Sequence, residues 1–167
     1  MYFSFLENQV IDWQSEDDKQ FSWGNVSDKF IRTNTVSEND IKMQEVRLAS
    51  LGYHFPEELK AFWLELGCGY LCPNDKVDNG LQSPNTTLDI YFREGDWSKI
   101  KLACDIFDQN ELPFFLIGNF NYITIGLEEG VNLGKIYRLG EEIAPSLTYF
   151  IEHLLQDSTY YTNLVYA

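Results

Sequence analysis

The side chains that could do chemistry are few and scattered. His54 and His153 are the only histidines, and neither has a second histidine or a cysteine three or four residues away, the spacing that would put two metal ligands on one helical turn. Cys68, Cys72 and Cys104 lack the paired short spacings of a closed zinc site, which would need His54 brought to them from elsewhere. Thiols of this kind are commonly buried as small apolar residues. Ser27, Ser83 and Ser146 have no GxSxG context, and no GxGxxG or GxxxxGK[ST] loop offers a phosphate cradle. The residues therefore point to no catalytic group, cofactor or metal.

Binding chemistry is better represented. The chain carries 26 acidic and 12 basic side chains in 167 residues, a net charge of −14. Such a surface repels nucleic acid and anionic membranes, and steers basic protein partners toward it. The acids are spread widely. The acidic loops with Asp75 and Asp78 and with Glu128 and Glu129 are candidate partner contacts, while Asp17-Asp18 and Glu141-Glu142 read as solvated tips. Tyr70, Trp97 and Tyr122 are candidate anchors if their ring faces are open. No apolar run approaches the ~20 residues of a membrane span, the N-terminus lacks a basic segment followed by a long apolar one, and an odd cysteine count argues against a disulfide framework. A cytoplasmic protein is expected.

The elements that must position these groups centre on Leu51–Leu71. Pro56 suits a helix start, Glu57 and Glu58 complement the positive end of its dipole, and Gly67 suits its exit. Leu59, Phe62, Trp63 and Leu66 recur at i, i+3, i+4 and i+7, one apolar stripe for the core. Similar spacing predicts helices over 4–13, 38–50, 97–108 and 146–155, the second opened by a Ser37 cap. Phe21–Ile31 reads as irregular with a short extended piece, Tyr70–Cys72 as a strand, Pro73–Pro84 as a turn-rich loop, and Thr87–Phe92 as a strand because β-formers run through it. Phe114–Ile117, Tyr122–Leu127 and Lys135–Arg138 are strands joined by short turns. Helices, a meander and a closing helix predict one α+β domain over 1–167, its antiparallel β-meander packed against N- and C-terminal helices.

Leu51, Gly52, Phe55, Pro56, Phe62, Gly67 and Gly69 together resemble the opening motif of the SMI1/KNR4 (SUKH) superfamily. Further on, Phe-Phe-Leu-Ile-Gly, Tyr-Ile-Thr-Ile-Gly-Leu, Lys-Ile-Tyr-Arg and Ile-Ala-Pro-Ser-Leu follow in that family's order, so the resemblance covers about 41–155. Glu45 matches an acidic residue that similar proteins carry in the preceding helix. The pattern departs at Gly67-Cys68-Gly69, where the family often shows Asn-Gly-Gly, and at Asn119-Phe120-Asn121, where it often carries glycine and aspartate. The resemblance implies an immunity protein of the bacterial type, binding and neutralising a polymorphic toxin such as a basic nuclease without catalysis. A regulatory or scaffolding module, as the fungal relatives suggest, is the alternative it leaves open.

Overall fold

A computed structural model describes residues 2–13, 27–73, 79–99, 107–117 and 121–161. Its helices are α1 (Glu38–Ala49), α2 (Glu57–Leu66), α3 (Pro84–Phe92) and α4 (Leu147–Gln156). Its strands are β1 (Val10–Asp12), β2 (Phe30–Asn34), β3 (Cys68–Leu71), β4 (Gly80–Leu81), β5 (Glu111–Ile117), β6 (Asn121–Gly126), β7 (Ile136–Arg138) and β8 (Glu141–Ala144). The strands form one sheet in the order β1 to β8. Among the described residues only β1 and β2 pair in parallel; every later neighbour is antiparallel. The result is a single α+β domain with helices flanking a mostly antiparallel sheet.

Local chemistry explains the helix limits. Ser37 and Asp40 form a reciprocal capping box at the start of α1, and the bonds from the Ser37 N–H and hydroxyl hold the Asp40 carboxyl below its ordinary range. α2 begins immediately after Pro56, and its four predicted apolar residues Leu59, Phe62, Trp63 and Leu66 are all buried. Gly67 ends it at φ +92°, where a Cβ would stand 2.2 Å from the Asn34 carbonyl oxygen. Ser146 caps α4 through the Tyr149 N–H. The sheet tucks in directly behind α2, because Gly67 lets the chain turn straight into β3.

Strand alternation gives the sheet two faces. Leu81, Phe115 and Ile123 lie in one row across β4, β5 and β6 and belong to the main core. The helices close over this face: the Phe62 ring meets Phe30 edge-on at 5.2 Å, and Phe150 meets Phe115 at 5.3 Å. Tyr70, Gly80, Leu116 and Tyr122 form the adjacent row, facing the other way. There Tyr122 and Ile90 make a second small cluster with Trp97, Phe107 and Leu116.

Three predicted elements differ in kind, and two short strands, β4 and β8, stand where the sequence predicts a loop and a solvated tip. Thr87–Phe92 belongs to helix α3 rather than a strand: Ser83 accepts from the Thr86 N–H, Pro84 fills the first turn, and Pro84, Thr87 and Leu88 are buried at helical spacing. A cap with a first-turn proline outweighs β propensity, which measures fit to a surface more than backbone preference. The first helix is a 3-10 turn, Ser4–Gln9, that passes into β1. The Glu65 carboxylate accepts the Tyr2 and Phe3 N–H groups, and Val10–Asp12 then pairs with β2. Of the helix expected over 97–108, the described part is a 3-10 turn, Gly95–Ser98; residues 100–106 lie outside the described residues. Among the described residues, no helix is long and apolar enough to cross a membrane.

Candidate partner-binding surface

Most groups with chemical potential are committed to holding the fold. Cys68 and Cys72 are free and buried, and burial pushes the Cys72 thiol up to about 12, so it stays protonated and inert at neutral pH. Cys104 lies outside the described residues. Ser83 and Ser146 are helix caps. His153 bonds the Tyr149 carbonyl through Nδ1 and stacks on the Tyr149 ring. Among the described residues, no three His, Cys, Asp or Glu side chains gather as a metal site.

Two helix carboxylates, Glu58 and Glu45, are likewise occupied. Glu58 on α2 accepts from the Leu147 N–H, the Thr148 N–H and the Thr148 hydroxyl, at 2.9, 3.2 and 3.0 Å. It satisfies donors that the start of α4 would otherwise leave open and sets its negative charge at the positive dipole end. Glu45 accepts the Phe55 N–H at 2.9 Å, fixing the loop that leads into α2. Glu58→Ala removes three bonds to a half-buried helix start, so it is expected to lose about 1–3 kcal/mol of stability. Urea unfolding checks this, and an unmoved midpoint would contradict it.

The residues expected to meet a partner divide into separate places. Tyr70 and Tyr122 share a row on one sheet face, and Trp97 packs against the cluster around Tyr122. Tyr122 is only 2% exposed, so its ring faces Phe107 rather than solvent, whereas Tyr70 and Trp97 are half-buried. Glu128 and Glu129 lie past the opposite end of β6. Glu128 accepts from Asn110 Nδ2 at 2.9 Å and Glu129 is exposed. Asp75 and Asp78 lie outside the described residues.

A trough that spacing alone did not reveal runs past Glu129. Its first part, about 330 Å³, lies between α1 and α2 and is lined by Tyr2, Ile41, Ala61 and Leu64 with Glu38 and Lys60. Its second part, about 270 Å³, is lined by His54, Pro56, Lys60, Glu129 and Leu133, and the two share Glu57 and Lys60. Leu64, Leu133 and Tyr2 stand 44%, 47% and 51% exposed, unusual for large apolar side chains beside one groove. The available signal was a leucine on the polar side of α2 and apolar residues inside the Gly130–Gly134 turn.

This sheet of eight strands with its capped helices also has a counterpart among known sequences. The SMI1/KNR4 family (SUKH-1) model matches residues 35–153, and the chain belongs to that family. It is also 28% identical over 147 residues to an immunity protein, YxxD, of Bacillus subtilis (strain 168), a match covering 84% of this chain and 98% of that protein. No solved structure matches it.

Proposed function

We propose that this protein is an immunity protein that binds and neutralises a bacterial toxin without turning anything over. The observation that carries the reading is the alignment with YxxD, which spans 98% of a protein named for immunity. The site chemistry agrees with binding: the Cys68 and Cys72 thiols are buried, Ser83 and Ser146 are committed to helix starts, and exposed carboxylates remain for a partner. With a net charge of −14, the partner is a basic toxin domain, of which a nuclease is the natural example because its substrate is a polyanion. The complex forms in the cytoplasm, where such a toxin would act. Its contacts include the acidic β6–β7 turn with Glu128 and Glu129; Asp75 and Asp78 are further acidic contacts, and Tyr70 and Trp97, which lie apart from that turn, are aromatic ones.

The test is co-expression with a toxin domain encoded in a neighbouring reading frame, where the genome carries one. Growth should be restored only when this protein is present. Unaltered killing would exclude immunity against that toxin and favour a regulatory module.

A further inference from the structure

We infer that the trough between α1, α2 and the β6–β7 turn is the docking surface, and that it takes a toxin segment carrying an exposed apolar side chain flanked by lysine or arginine. The inference rests on the immunity reading and adds the surface and the chemistry of what fills it. Tyr2, Leu64 and Leu133 give the trough its apolar walls, and their exposure leaves apolar area that only a partner would cover. Lys60 sits within 3.5 Å of Glu45 and 3.3 Å of Glu57, so the cation at the middle is already neutralised. Glu38 and Glu129, one in each part, carry no ion pair among the described residues and are exposed. Four carboxylates therefore face two lysines, Lys42 and Lys60, and the trough is net negative.

That charge selects among occupants. A second copy would bring a chain of charge −14 against another, so self-association is opposed by the field of the whole molecule. A basic segment is drawn in by the same field, and its apolar tip finds the leucine walls. Apolar centre and charged rim are the usual division of labour at a specific interface.

The experiment compares two double variants of equal charge against the purified toxin domain that co-expression shows this protein to neutralise. Leu64→Arg with Leu133→Arg places cations in the trough; Met43→Arg with Leu139→Arg places them on exposed positions that do not line it. All four side chains are exposed, so circular dichroism and thermal unfolding should match the unaltered chain. The trough variant is expected to bind at least about tenfold more weakly, while the control binds within about twofold of the unaltered protein. On mixing with toxin, deuterium uptake should fall along α1, α2 and residues 128–135. Equal binding by both variants, or an equal loss in both, would overturn this surface while leaving the immunity reading in place. An unaltered chain that forms no complex would overturn both.

Discussion

Trp63→Ala is expected to lower the unfolding free energy by about 3–5 kcal/mol, the usual range for emptying a large core site. Trp63 is fully buried, its ring meets Phe55 edge-on at 4.9 Å, and its Nε1 donates to the Gln82 carbonyl at 2.8 Å. That bond ties α2 to the stretch between β4 and α3. Truncation therefore removes three things together: a large apolar area, an aromatic contact, and the partner of a carbonyl held between two elements. Trp63→Phe keeps much of the volume and loses the bond, so a smaller loss of about 1–2 kcal/mol should follow. Equilibrium unfolding in urea measures both. A loss below about 1 kcal/mol for the alanine variant would contradict the role given to α2.

Association with a basic toxin should slow by about tenfold or more as salt rises from about 50 to 500 mM, because the screening length falls from about 14 to about 4 Å. Glu38 and Glu129 are exposed, and the proposed surface makes them the rim groups expected to carry this effect. Their contribution acts through the approach of the two molecules more than through the docked contact. Glu129→Gln should consequently lower the association rate more than it raises the dissociation rate. Stopped-flow mixing across the salt series separates the two. A rate that does not vary with salt would remove charge steering from the account.

The organising helix was legible because its signals are local: Pro56 before it, the buried stripe Leu59, Phe62, Trp63 and Leu66 within it, and Gly67 after it. The closing helix α4 and strands β5 to β7 were legible for the same reason, each having a clear period and a glycine-marked or capped boundary. What escaped depends on distant partners. β4 is two residues long and exists because β3 and β5 flank it, and β1 forms only by lying parallel to β2. Glu141 and Glu142 look like a loop tip, yet they open an edge strand, Glu141–Ala144, that places Ile143 and Ala144 in the core. α3 was read by composition when its Ser83-Pro84 opening held the stronger signal.

The surface was harder to read than the fold. Glu128 and Glu129 were visible as an acidic turn, but that Glu128 is bonded by Asn110 follows only from the tertiary structure. Tyr122 has a β-former's character whether its ring is open or, as here, packed against Phe107. The trough joins residues from the N-terminus, two helices and a turn, so no window of sequence contains it. Likewise, the acids Glu45, Glu58 and Glu65 contribute to the formal charge, but each already serves a backbone donor.

The central claim is inhibition by stoichiometric occupation, and titrating toxin activity with the purified protein tests it most directly. The account predicts that activity falls in proportion to the protein added, reaches its floor when the two are equimolar, and returns when the complex is dissociated in high salt. Progressive loss of toxin activity at a small fraction of an equivalent, with a chemically altered toxin at the end, would contradict it and make the protein a catalyst.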